Sequence, residues 1–250
     1  EMLELNRISA GYGKQTVLDG ISVDFEKGKL TSIIGVNGCG KSTLLKAILG
    51  ILSLSSGEIF IDGENLLTIS RNEIAKKIAY LSQGKNIPDM TVEQMVLHGR
   101  FPYLSYPRRY SSHDREVAIK AMEIVGVAEF AHKPLYSLSG GMRQNAYIAM
   151  ALAQDTDYIL LDEPTTYLDI AHQLELMRIL RKLADSGKGI VTVMHNLPIA
   201  FDFSDKLTVM SNGKIIAYGT PSEICESHIV EDIFGVKIKQ VQKGKYLYEY

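Results

Sequence analysis

Apolar and polar positions along the chain switch period several times. Leu3, Leu5 and Arg7-Ile8, then Gly11-Tyr12-Gly13, read as a first strand and turn. Val17–Phe25 places Ile21, Val23 and Phe25 at alternate positions, a strand with one covered face. Leu30–Val36 is a short apolar strand that runs into glycines. Lys41–Leu52 then carries apolar residues at 44, 45, 48, 49 and 52, a helical stripe. Glu58–Ile61 and Ile78–Leu81 read as further strands. From about Val92 to Phe130 the apolar spacing is helical, so this stretch is expected to be an all-helical insert. Beyond it the pattern alternates: helix Gly140–Ala153, strand Tyr158–Leu161, helix Ala171–Ala184, strand Ile190–Met194. Alternation of this kind predicts a mostly parallel sheet covered by helices. Asn212-Gly213 between Leu207-Val209 and Ile215-Ala217 predicts a tight hairpin.

Composition bounds the answer further. The chain has 250 residues, 46% hydrophobic and 22% charged, an ordinary globular mix long enough to bury a core without metal or disulfides. The net charge of −2 argues against a surface built to bind nucleic acid. Two cysteines, Cys39 and Cys225, form no disulfide framework and suit a reducing compartment. No apolar run reaches the ~18 residues of a membrane span. The opening Glu1-Met2-Leu3-Glu4 is expected to carry no signal peptide. The histidines outside position 195 lack metal-ligand spacing, so no zinc site is expected. The basic and aromatic run Arg100–Tyr110 is expected to be a solvated loop rather than a base-stacking platform.

Gly35-Val36-Asn37-Gly38-Cys39-Gly40-Lys41-Ser42-Thr43 fits G-x-x-x-x-G-K-[ST] between a strand and a helix. Glycines let backbone N–H groups turn inward around phosphate, and the helix end adds its positive dipole. Lys41 would contact the β- and γ-phosphates, and the Ser42 hydroxyl would ligate Mg²⁺. Tyr158–Leu161 leads into Asp162-Glu163 at the strand end where parallel sheets bind ligands. Asp162 can hold Mg²⁺, and Glu163 can act as general base toward water. Leu138-Ser139-Gly140-Gly141 opens another helix. Alone it is either a second anion site or a helix capped by Ser139.

Taken together, these motifs resemble the nucleotide-binding subunits of ATP-binding cassette (ABC) transporters, through nearly the whole chain. The Leu138-Ser139-Gly140-Gly141 signature carries the resemblance most specifically. It implies an α/β fold: a RecA-like phosphate-loop ATPase core with an N-terminal antiparallel β region and an all-helical insert. The chain would be one ABC ATPase domain over 1–250, with 1–83 and 157–250 as catalytic lobe and 84–156 as helical subdomain. The resemblance implies that Tyr12 stacks on adenine, that Gln83 senses Mg²⁺ and the attacking water, that Asp169 lies in a loop communicating across a dimer, and that His195 contacts the γ-phosphate. It also implies that Ser139, Gly140 and Gly141 of one copy face the ATP held by Gly35–Thr43 of another, head to tail. A γ-phosphate would then bias a two-state dimer.

Finer features are similar to the ATPases of iron-chelate importers, the siderophore, haem and cobalamin group: Asp162–Gln173, His98-Gly99-Arg100 with Pro102-Tyr103, Gly219-Thr220-Pro221, and Ile233–Val236. The implied protein hydrolyses Mg-ATP and works with integral membrane permease subunits, a second copy of itself and, indirectly, an external substrate-binding protein. It binds no nucleic acid and sits peripherally on the cytoplasmic face of a bacterial membrane. The alternatives are a soluble ABC ATPase acting on nucleic acid or the ribosome, and the ATPase of another transporter class. Met142, Asn145, Asn196 and Cys39 depart from the usual family residues. Cys39 is either a reactive thiol or a small filler.

Overall fold

The structure, a computed structural model, describes residues 1–82, 87–242 and 244–249. Its strands are β1 (Met2–Tyr12), β2 (Gln15–Glu26), β3 (Leu30–Gly35), β4 (Leu54–Ile61), β5 (Glu64–Asn65), β6 (Ile78–Leu81), β7 (Tyr158–Asp162), β8 (Gly189–Val193), β9 (Lys206–Ser211), β10 (Lys214–Gly219), β11 (Lys237–Gln242) and β12 (Lys245–Glu249). Its helices are α1 (Lys41–Ile48), α2 (Arg71–Lys77), α3 (Val92–His98), α4 (Ser112–Ile124), α5 (Gly140–Ala153), α6 (Ile170–Asp185), α7 (Leu197–Phe203), α8 (Pro221–Glu226) and α9 (Ile229–Phe234).

A six-stranded sheet runs β10-β9-β3-β8-β7-β6. Five of its strands are parallel, and β10 joins the edge antiparallel to β9. The antiparallel sheet β2-β1-β4-β5 lies over it, and β11-β12 form a separate hairpin. The connection from β9 to β10 is the expected tight turn, with positive φ at Asn212 and Gly213.

Strands β3, β7 and β8 are buried at every residue, because both faces of the parallel sheet are covered. The alternation is hidden in the composition but clear in the packing. Leu30, Ile34, Ile159, Leu161 and Ile190 face one core with the insert and α6. Ile33, Tyr158, Leu160, Val191 and Val193 face the other, under the antiparallel sheet and α1. The Tyr158 hydroxyl, fully buried, donates to the carbonyl of Phe25 at 3.2 Å and ties the two sheets together.

The described residues between β6 and β7 form helices as expected, with α3, α4 and α5 sharing the buried residues Val96, Ala118, Met122, Ala146 and Ala149. An ion pair closes it. Arg100 Nε lies 2.9 Å from Asp114 Oδ1, and Arg100 Nη1 donates to the carbonyl of Ala153 at 2.9 Å, at the end of α5. The helix α5 thus has its far end clamped, which fixes where its first residues, Gly140 and Gly141, emerge. No described helix is long and apolar enough to cross a membrane.

Candidate functional site

Three parallel strands end at the same edge and bring the sequence motifs together. β3 pairs with β8 through Ile33 and Val193, and Asp162 of β7 pairs with Val193 as well. The residues that follow each strand therefore leave side by side: the Gly35 loop, Glu163 and His195. This edge is where open α/β sheets bind ligands.

The Gly35–Gly40 loop turns into α1 through Gly40 at φ 108°, a conformation that a side chain strains. A methyl there would also lie 3.0 Å from Leu18 Cδ2. Asn37 and Gly38 are exposed on the loop's outer rim, and Ser42 and Thr43 follow in the first turn of α1. Lys41 is 5% exposed, and its Nζ donates to the carbonyls of Gly35 (2.7 Å) and Val36 (3.1 Å). The loop thus holds its only cation beneath a ring of backbone groups, an arrangement suited to a polyanion.

Asp162 is buried at the strand end. Its Oδ1 accepts from Ser42 Oγ at 2.9 Å and its Oδ2 from the Tyr80 hydroxyl at 3.4 Å. Burial, assisted by the neighbouring Glu163 charge and opposed by the two hydroxyl donors, raises Asp162 above the ordinary carboxylate range. A desolvated carboxylate beside a hydroxyl is a hard-oxygen donor set suited to a small divalent cation. Burial and the Asp162 carboxylate push the Tyr80 phenol up.

Glu163 adopts φ 53°, unusual for a residue with a side chain. Strain of this kind concentrates at functional positions. It places Glu163 Oε1 2.6 Å from His195 Nε2, while Thr166 Oγ1 donates to Oε2 at 3.3 Å. A carboxylate fixed on two sides, next to a metal-competent partner, can accept a proton from a water molecule.

Tyr12 ends β1 and is 51% exposed, free to stack on a flat ring. Ser139 and Gly140 are exposed at the start of α5, and the Ser139 hydroxyl caps the Met142 N–H at 3.3 Å. Gly141 is buried within the same copy. Asp169 is exposed and caps α6. Gln83 lies outside the described residues. Tyr80 and Thr166 lie within or beside the motifs, but nothing in the motifs marks them as touching the acidic pair. Their contacts to Asp162 and Glu163 come from a neighbouring strand and a tight turn, and only their proximity to motif residues could have flagged them.

The atypical residues have structural explanations. Asn145 Nδ2 donates to the Val125 carbonyl at 3.0 Å and joins α5 to the end of α4. Asn196 Oδ1 caps α7 through the Ile199 N–H at 3.2 Å. Met142 packs half-buried against the larger core. Cys39 is 4% exposed, and burial pushes its thiol up despite the nearby Lys41 ammonium. Of the two readings of Cys39, the structure favours the unreactive filler.

The chain matches the ABC transporter family over residues 18–166. The petrobactin import ATP-binding protein of Bacillus anthracis is 40% identical over 234 residues, 93% of this chain and 86% of that protein. The ferric enterobactin transport ATP-binding protein of Escherichia coli K12 is 40% identical over 233 residues, 92% of this chain and 86% of that protein. A solved dimeric bacterial ABC transporter cassette superposes with a TM-score of 0.75 at 27% identity, covering 88% of this chain and 98% of that one.

Proposed function

The chain belongs to the ABC transporter family, and from that premise we propose that it is the ATP-hydrolysing subunit of an importer for iron chelates. The relatives' names support the class and not the compound, since two proteins of equal identity are a petrobactin import ATP-binding protein and a ferric enterobactin transport ATP-binding protein. The observation that carries the catalytic reading is the Glu163–His195 pair, set beside Asp162 at the common strand edge.

In this reading Tyr12 stacks on the adenine ring. The amides of Gly35–Thr43 and the Lys41 ammonium bind the triphosphate. Ser42 and Asp162, with Gln83, would hold Mg²⁺, which when bound would supply charge neutralisation at the phosphates. Glu163 takes the proton of a water as its oxygen attacks the γ-phosphorus, and His195 keeps the carboxylate aimed. Phosphate and ADP leave, and the proton on Glu163 returns to solvent.

The exposed Ser139-Gly140 tip is a second anion site that has no task toward the copy's own ATP in this scheme. A second copy, head to tail, gives it one. Residues 1–83 and 157–250 would then form the catalytic lobe and 84–156 the lobe that carries the tip. Permease subunits would hold the pair at the cytoplasmic face of a bacterial membrane, and an external binding protein would deliver the chelate to them. Co-purification separates this from a soluble ABC ATPase. A polytopic membrane protein supports import, whereas ribosomal RNA supports the alternative.

The test of the site is Glu163→Gln with Mg-ATP. Turnover is expected to fall on the order of 10²–10⁴-fold, the usual contribution of a general base, and a dimer is expected to accumulate. Unchanged turnover refutes the base assignment.

A further inference from the structure

Among the described contacts, one joins two parts of the site that the phosphate chemistry alone leaves separate. Asp169 caps α6, and its Oδ1 accepts the His172 backbone N–H at 2.9 Å. Its Oδ2 lies 2.7 Å from His172 Nδ1. A carboxylate only accepts, so Nδ1 carries the proton. Asp169 is thus held twice by one residue, and these two hydrogen bonds draw its carboxyl below the usual range.

The opposite edge of the same ring meets the signature helix. A methyl group built on Gly141 would overlap His172 Cδ2 and lie 2.7 Å from Nε2. A methyl on Gly140 would meet nothing within 4 Å. The adjacent glycines therefore serve different ends. Gly140 leaves space open toward the outside, whereas Gly141 makes room for an imidazole of its own copy.

We infer that His172 is a positioning residue: its ring fills the space left by Gly141 while Nδ1 holds Asp169, so that the Asp169 turn and the Ser139-Gly140 tip form one unit presented to the partner copy. The inference rests on the reading that both elements face a second copy. Its physical content is preorganisation. Two exposed elements fixed in advance lose less freedom on docking than two that must be ordered separately. It also gives Gly141 a steric role: any side chain there displaces the ring and, through it, releases Asp169.

The test uses the full chain carrying Glu163→Gln. Mg-ATP-dependent self-association is measured by sedimentation velocity, and nucleotide affinity of the monomer by a fluorescent ATP analogue. His172→Asn keeps a donor near Nδ1 and empties the ring's space. His172→Phe fills the space and cannot bond Asp169. His172→Ala removes both. We expect the Ala variant to weaken self-association by about fivefold or more, the lower range of coupling between sites, with monomer nucleotide affinity unchanged. The Asn and Phe variants should each recover part of that loss. Undiminished self-association of the Ala variant overturns the inference. So does a parallel loss of nucleotide affinity, which would mark a merely structural role.

A second arm does not depend on dimerisation. Gly141→Ala should lower the melting temperature, and adding His172→Ala should restore part of it, since the removed ring no longer opposes the methyl. Strict additivity overturns the inference. If the Glu163→Gln parent itself does not associate, the proposed site fails, and this second arm alone decides the role of His172.

Discussion

Replacing Arg100 by Met tests what holds the signature helix in place. Arg100 and Asp114 are 4% and 6% exposed. Arg100 makes the 2.9 Å pair with Asp114, donates to Ala153 at the end of α5, and lies 4.0 Å over the Tyr103 ring. A methionine fills most of the volume but strands one carboxylate oxygen and one helix-end carbonyl. Removing one partner of a buried pair costs about 3–5 kcal/mol. Asp114 keeps two hydrogen bonds from Ser111, N–H at 2.9 Å and Oγ at 2.7 Å, so the lower end applies: about 3 kcal/mol. Urea unfolding with an unchanged m-value is the assay. The double variant Arg100→Met with Asp114→Asn should cost less than the sum of the two single changes by about 1 kcal/mol, because the stranded charge is gone.

The pair also sets an acid limit. The Ser111 and Arg100 hydrogen bonds outweigh burial and draw the Asp114 carboxyl from 3.8 to about 2. A depressed folded-state value means the stabilisation is complete above the ordinary carboxylate range and fades as pH falls toward 2. Discounted for solvent screening, it is on the order of 1–2 kcal/mol. Arg100→Met should flatten that part of the pH–stability curve. A cost within about 0.5 kcal/mol, the range of ordinary surface changes, would refute the clamp.

Further outcomes follow from the site. Lys41→Ala removes the buried ammonium beneath the loop and should raise the hydrolysis barrier on the order of 3 kcal/mol, read as ATPase kcat/KM. Gly40→Ala forces a side chain into φ 108° against Leu18 and should cost about 1–3 kcal/mol, seen as a lower melting temperature. Cys39 in the folded protein should alkylate slowly near neutral pH, and Cys39→Ser should retain nucleotide binding. Fast labelling that ATP suppresses would restore the reactive-thiol reading.

The elements that bear the phosphate chemistry were legible in the sequence because each pairs a strong local signal with a motif. The Leu30–Gly35 strand runs into glycines, the α5 stripe begins at Gly140, and Asn212-Gly213 strongly favours a tight turn. The short polar elements were not. Helix α2 carries a capping box from Ser70 to Glu73 that could have revealed it, but a seven-residue helix shows too little apolar period. In the β11-β12 hairpin the apolar and aromatic residues fall at 238, 241 and 246–248, so alternate spacing is absent. β4 begins at Leu54, four residues before its apolar half, because β1 pairs with it regardless of side-chain polarity. In the site, Lys41, Asp162 and Glu163 were readable as types. The backbone twist at Glu163, the Tyr80 hydroxyl and the His172 contact with Gly141 were not, since each arises from residues distant in sequence or from a dihedral that sequence leaves unspecified.

In the proposed dimer the nucleotide is gripped jointly by the Gly35–Thr43 loop of one copy and the Ser139-Gly140 tip of another. Mixing two inactive variants measures this directly. Lys41→Ala disables the loop and keeps the tip, and Ser139→Arg disables the tip and keeps the loop. Each variant alone should lack ATPase activity, and an equal mixture should regain it, because a mixed pair contains one intact loop facing one intact tip. A mixture as inactive as its components, with both variants folded and Ser139→Arg still binding ATP, would contradict the shared site.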